Sequence, residues 1–182
     1  MSPEPREQGL EQHPLFVHYS QLNFEKEFAA CKSNLKRLGI RGPEVVDISG
    51  YGRTIPSGLT SEEMHISQEA FLPGRNLMFL LLGSAYAYKM GASAVAIGLL
   101  DESLSLFPDQ TSSFVRQAED LMGVAMDKGI RLVTPLIAFN KAEVIALAKE
   151  KGIQGTYSCH AGGDTPCGEC ISCKEFGGME GS

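Results

Sequence analysis

Four of the five cysteines fall between Cys159 and Cys173, in the string CHAGGDTPCGECISC. The spacing is C-x7-C-x2-C-x2-C, and it limits what the last part of the chain can become. A C-x2-C step lets two thiolates reach one ion from a tight turn, and Cys167, Cys170 and Cys173 give two overlapping steps. Gly168 permits the turn, and Cys159 supplies a fourth corner from an arm containing Gly162 and Gly163. Four thiolates make the closed tetrahedral shell of a structural zinc site, with no open position for catalysis. Zinc is therefore the first reading, with Cys159, Cys167, Cys170 and Cys173 as ligands. An iron–sulfur cluster and a redox or disulfide set are the alternatives. His160 is a lesser substitute for Cys159, and Cys31 reads as a core residue on a helical face.

Ahead of the cysteines, short apolar runs alternate with helical patterns. Strands are expected at Leu15–Tyr19, Glu44–Ile48, Ala94–Leu99 and Arg131–Thr134. Helices are expected over Phe24–Leu38, Phe71–Met90, Thr111–Lys128 and from the Asn140 cap through Lys151. Phe24, Phe28, Cys31 and Leu35 lie at helical spacing in the first. The second starts at Pro73, closes at Gly91 and is apolar almost all round, so deep burial is expected. Asn140 with Glu143 forms a capping-box pattern. Ser49–Gln68 reads as loop. Strands alternating with helices imply an α/β fold with a mostly parallel sheet flanked by helices, Ala94–Leu99 lying centrally. Ligands bind beyond the carboxyl ends of such strands, which directs attention to the loops after Tyr19, Leu99 and Thr134. In linear order this divides the chain into a disordered leader (1–14), an α/β domain (15–152) and a metal-binding tail (153–182).

The net charge of −6 argues against a broad grip on nucleic acid, which needs clustered Lys and Arg. The leader is polar, with three prolines and no apolar stretch, so it does not read as a signal peptide. The longest apolar run lies inside Leu77–Leu82, too short to span a bilayer. A cytoplasmic protein is expected, and a reducing compartment favours metal over disulfides.

The string PGRNLMFLLLGSAYAYKMGASAVAIG, followed by FPD and the cysteine cluster, resembles 7-cyano-7-deazaguanine synthase. That is the QueC/ExsB family of the PP-loop ATP pyrophosphatase superfamily, with an adenine nucleotide alpha hydrolase-like fold. The resemblance runs from about Leu15 to Cys173. Its specific parts are Pro73-Gly74-Arg75-Asn76, Pro108-Asp109, Thr134-Pro135-Leu136, Lys141-Ala142-Glu143 and the four cysteines. Tyr19 and Gln21 in HYSQ resemble a Tyr-Gly-Gln segment of the family. The resemblance implies ATP-dependent conversion of 7-carboxy-7-deazaguanine and ammonia to the nitrile, in queuosine and archaeosine synthesis. It implies ATP and magnesium as cofactors beside structural zinc. It nominates Tyr19, Gln21, Arg75, Asn76, Gly98, Asp109 and Lys141 as substrate- or nucleotide-binding residues. Bland roles compete: Asp109 as a helix cap, Lys141 as a solvated first-turn lysine, and Arg75 as a helix-start salt bridge.

The family's phosphate cradle, Ser-Gly-Gly-x-Asp-Ser after its first strand, has no counterpart string here. Ser49-Gly50-Tyr51-Gly52-Arg53 is glycine-rich but misplaced, and reads as a flexible surface turn. The resemblance thus begins one strand late. The expected explanations are a partner chain that supplies the strand and loop, neighbouring strands that close the gap, a homo-oligomer, or an incomplete reading frame. A non-catalytic, zinc-stabilised paralogue or partner subunit is the alternative reading. Other departures are Ser103 for an acidic residue, Leu106-Phe107 for Gly-Tyr, Gln110-Thr111 for Cys-Arg, Asn23 for a His and Phe176 for an Arg.

Overall fold

The computed structural model describes residues 9–177. Most of the expected leader (1–8) and the end of the tail (178–182) lie outside the described residues. The chain divides into two compact units, Pro14–Pro73 with Ala146–Ser182, and Met1–His13 with Gly74–Ile145.

The first unit is built on two parallel strands, β1 (Leu15–His18) and β2 (Glu44–Asp47), paired from Leu15↔Glu44 to His18↔Asp47. Between them runs helix α1 (Phe24–Arg37). Its Phe24 and Phe28 are one helical turn apart, so both meet the strand side chain Phe16, at ring-centroid distances of 5.9 and 5.1 Å. Cys31 is half-buried, and burial pushes its thiol up. Gly39 follows the helix at φ 66°. Near its end, Asn34 donates to the Gln154 carbonyl (2.9 Å) and accepts from the Gln154 N–H (3.1 Å). This pair of bonds imitates a backbone ladder and ties the later segment to α1.

Helix α2 (Ser49–Thr54) occupies a stretch expected to be loop. Asp47 starts it by accepting from the Ser49 N–H at 2.8 Å. Gly52 faces the Tyr19 carbonyl so closely that a Cβ there would collide with it. The glycine-rich stretch is therefore a packed element, not the flexible turn its composition suggests.

The Ser49 bonds hold the Asp47 carboxyl below the usual range, with the charges of His18 and Arg53 adding to the effect. A depressed carboxylate contributes stability above its unfolded pKa and loses it as pH falls through the folded value. The difference in urea midpoint between wild type and Asp47→Asn should be full at neutral pH. It should close as pH drops below the ordinary carboxylate range.

The second unit pairs β3 (Ala94–Ala96) with β4 (Arg131–Val133), again in parallel. Helix α3 (Arg75–Met90) packs on β3 and on α4 (Ser112–Met126). Leu80, Leu99, Val115, Ala118 and Leu132 form the core, with Leu77, Val95, Ile97, Phe114 and Ile137 around it. The Leu132 N–H donates to Glu119 of α4 at 2.5 Å, fixing that helix to β4.

Several expectations shift here. Helix α3 starts at Arg75 because Gly74 adopts φ 76°, outside the helical region. Its buried positions are Asn76, Leu80, Ser84 and Ala87, which share one face. Leu81 and Tyr88 are 39% and 54% exposed, so the helix is buried on one side despite its composition. Helix α4 stops at Asp127 (φ 47°), two residues before Gly129. The strands are shorter than their apolar runs, Ala94–Ala96 most of all. The mixed α/β class with parallel strands is as the alternation predicts. Among the described residues the strands pair as two two-stranded ladders, β1–β2 and β3–β4.

Helix α5 (Lys141–Glu150) opens with the expected capping box: Glu143 N–H to Asn140 Oδ1 at 3.0 Å, and Asn140 N–H to Glu143 Oε2 at 2.8 Å. A last helix, α6 (Ile171–Gly177), was not foreseen. Among the described residues no helix is long and apolar enough to cross a membrane.

Candidate metal centre

The Sγ atoms of Cys159, Cys167, Cys170 and Cys173 all lie within 4.8 Å of one another. A tetrahedral shell with metal–sulfur bonds of about 2.3 Å puts its sulfurs roughly 3.8 Å apart. Cys167 and Cys173 approach that spacing, at 4.0 Å. The group could hold a metal ion, and its soft donors in a four-cornered arrangement are compatible with zinc. His160 is not part of it.

Backbone N–H groups point at the sulfurs. Cys167 N donates to Cys159 Sγ (3.4 Å), Cys170 N to Cys167 Sγ (3.4 Å) and Cys173 N to Cys170 Sγ (3.3 Å). The last of these reaches three residues forward, as a side chain does when it caps a helix, and α6 begins directly after Cys170. Burial opposes ionisation of Cys159. The N–H groups of Cys167 and Ala161 outweigh it and bring the thiol down to about 7. Burial and the neighbouring sulfurs push Cys173 up to about 12. Ionisation is thus favoured at Cys159, and burial, with the neighbouring sulfurs, disfavours it at Cys173.

The arm between Cys159 and Cys167 is anchored at the start of α1. Asn23 donates to the Cys159 carbonyl at 3.1 Å and to Glu27 at 3.0 Å. Lys26 reaches the Gly163 carbonyl (2.6 Å) and the Asp164 carboxylate (2.7 Å), and lies over the Tyr157 ring. The Tyr157 hydroxyl donates to the same Gly163 carbonyl at 2.7 Å. Burial, with the charge of Cys159, pushes that phenol up to about 12. Gly162, at φ 71°, sits against the Leu22 carbonyl where a side chain would collide. Asn23 is 4% exposed, so Asn23→Ala would leave the Cys159 carbonyl buried without this donor. The expected loss is about 1–3 kcal/mol, read from urea unfolding, with a faster loss of metal to a chelator.

The other nominated residues fall into local groups. Tyr19 and Gln21 close the end of β1. The Tyr19 N–H donates to Gln21 Oε1 (2.9 Å), and Gln21 Nε2 donates to the Val17 carbonyl (3.1 Å). Gln21 is 5% exposed and uses both ends of its amide to hold this turn, where Ser20 takes φ 72°. In the second unit Asn76, also buried, donates to the main-chain carbonyl of Asp109 at 3.0 Å. Asp109 is not the cap of α4: Thr111 is, accepting from the Phe114 N–H at 3.2 Å. Arg75 lies 5.9 Å from the Phe79 ring centroid, within cation–π range. Gly98 sits beside Leu136, and Lys141 is the first residue of α5.

The loops after β3 and β4 are joined by the Asp101 N–H bond to the Phe139 carbonyl (3.1 Å). There Asp101–Ser103, Thr111–Ser113 and Arg116 line an open cleft of about 740 Å³. The Ser112 N–H donates to Glu102 at 2.8 Å, and the Ser103 N–H to Asp101 at 2.8 Å. These bonds lower both carboxyls, and Arg116 lowers Glu102 further. Gln110, where the resembled family has Cys, accepts from the N–H groups of Leu106 and Phe107 and stiffens the rim. Ser112, Ser113 and Arg116 were missed. The signal available was the Thr-Ser-Ser run at a helix start, with Arg116 one turn into that helix.

One protein-family model, described as "Queuosine biosynthesis protein QueC", matches residues 5–176.

Proposed function

The chain belongs to the QueC family of queuosine biosynthesis proteins, and from that premise we propose 7-cyano-7-deazaguanine synthase chemistry for it. In this reading ATP activates the carboxylate of 7-carboxy-7-deazaguanine as an adenylate, releasing pyrophosphate. Ammonia displaces AMP to give the amide, and a second ATP-dependent step removes the elements of water to leave the nitrile. The observation that carries the proposal is the family match across residues 5–176, which runs through the four-cysteine cluster.

The cluster is assigned to zinc, with Cys159, Cys167, Cys170 and Cys173 as its ligands. Four protein ligands leave no position for substrate, so the ion supports the fold and takes no part in the reaction. Magnesium enters with the nucleotide and neutralises the pyrophosphate. The cleft between Asp101 and Arg116 has a volume in the range that holds a small molecule. Arg75 and Lys141 supply positive charge at the starts of α3 and α5, where backbone N–H groups also favour phosphate. Gly98 and Asp109 complete the proposed contacts in this unit, and Tyr19 is the proposed contact in the other. Gln21 and Asn76 act by holding loops, since their amides are already committed to backbone groups.

A second reading has a specific observation behind it. Each parallel ladder has two strands among the described residues, which leaves strand edges where a further strand could pair. A chain lacking the Ser-Gly-Gly-x-Asp-Ser string would then serve as a zinc-held paralogue or partner subunit, with strand and cradle supplied by another polypeptide. One assay separates the two. Purified protein is incubated with ATP, magnesium, ammonia and 7-carboxy-7-deazaguanine, and AMP and nitrile are followed by chromatography. Synthase chemistry predicts both products. Neither product, from this chain alone or with a candidate partner, sinks the enzyme reading.

A further inference from the structure

The four sulfurs are not equivalent toward solvent. Cys159 and Cys170 are 4% and 0% exposed, whereas Cys167 is exposed and Cys173 half-buried. The two accessible sulfurs are also in contact, at 4.0 Å. Oxidation of cysteine follows access and thiolate character, and a metal-bound sulfur is a thiolate by definition. We propose that Cys167 and Cys173 form a reversible oxidation site, where a peroxide joins their sulfurs as a disulfide and releases the metal. This rests on the zinc reading for the ion, but the choice of pair rests on exposure and contact alone.

The step balances. The Cys167 thiolate attacks hydrogen peroxide, an S–O bond forms and the O–O bond breaks. The sulfur becomes a sulfenic acid, and the leaving hydroxide takes up a proton as water. The Cys173 sulfur then attacks the sulfenic sulfur. The S–S bond forms, the S–O bond breaks, and a second water leaves. Two thiolates, one peroxide and two protons give one disulfide and two waters. The ion keeps only the Cys159 and Cys170 sulfurs, which cannot fill a tetrahedral shell, and it dissociates. A dithiol reductant returns both thiolates. Cys31 stands outside the cluster on α1 and takes no part.

The test uses the whole chain, purified under reducing conditions with zinc and then cleared of reductant. Metal content is measured first, then hydrogen peroxide is added, and zinc release is followed with a colorimetric chelator. No Lys or Arg lies between Lys151 and Lys174, so trypsin leaves all four cysteines on one peptide. Cleavage at Asp164 and after Glu169 separates Cys159, Cys167 and the Cys170–Cys173 pair. Fragmentation of the last peptide between Ile171 and Ser172 then locates the bond. The expected result is complete zinc loss in step with a Cys167–Cys173 disulfide, both reversed by dithiothreitol. Retained zinc, a disulfide to Cys159 or Cys170, or only sulfinic and sulfonic products would overturn the proposal. A protein that binds no zinc at the start defeats the zinc reading instead. The mapped disulfide then still decides whether Cys167 and Cys173 are the reactive pair.

Discussion

Cys170→Ser should abolish stoichiometric zinc binding, whereas Cys31→Ser should leave it intact. Cys170 is fully buried, its sulfur sits between two C-x2-C steps, and its N–H also holds Cys167. A serine hydroxyl is a poor zinc donor, and here it would have neither metal nor water. Structural zinc contributes on the order of 10 kcal/mol of binding free energy that is shared with folding. Loss of one thiolate should therefore lower both the metal content and the urea midpoint of the unit that contains the cluster. Metal analysis per chain and urea unfolding monitored at Tyr157 would check this. A Cys170→Ser protein with a full zinc complement would show that three sulfurs suffice.

Gly52→Ala should be nearly as damaging, and it touches no ligand. The added methyl would meet the Tyr19 carbonyl and approach Thr60 Cγ2 at 2.9 Å. Both are held in place: Thr60 donates to the Gly52 carbonyl at 3.0 Å, and the Tyr19 N–H is bound to Gln21. Helix α2 would have to leave the end of β1, at a cost of about 3 kcal/mol or more. Gly50→Ala is the internal control, since its nearest neighbour is the end of Arg53 at 4.0 Å. There, removal of a helical glycine should be neutral or slightly stabilising. Urea midpoints of the two variants should move apart. Equal midpoints would mean that α2 slides without strain.

The two glycines show why some of this protein can be read from its sequence and some cannot. Composition says turn for SGYGRT, because glycine is a weak helix former. What demands glycine at position 52 of this helix is the close approach of the Tyr19 carbonyl, a neighbour that no window over residues 49–54 contains. The cysteine spacing is the opposite case. Donor type and turn length carry the geometry, so four clustered sulfurs were legible from the string alone. The arm that delivers Cys159 was legible only as flexible. Its anchors, Asn23 and Lys26, stand 136 and more residues earlier in the chain and follow no local pattern. Helix α3 misled in another way: a uniformly apolar sequence has no periodicity to reveal that Leu81 and Tyr88 face outward. At α4, Thr111 and Asp109 are both good caps by type, and the geometry of the intervening turn selects Thr111.

The unit with the cysteines is assembled from two stretches of chain, Pro14–Pro73 and Ala146–Ser182, with Gly74–Ile145 inserted between them. Order of synthesis then matters. On the ribosome β1, α1 and β2 emerge first, but Asn23, Lys26 and Asn34 wait for partners 136, 138 and 120 residues further along the chain. The inserted unit has most of its core in one continuous stretch and can settle first. The earlier segment meets these partners only once the chain through Asp164 has emerged. A metal ion held by all four cysteines can be captured only after that, and a nascent chain stalled before Cys159 is left with an α1 whose Asn23 and Lys26 lack their partners, for chaperones and proteases to find.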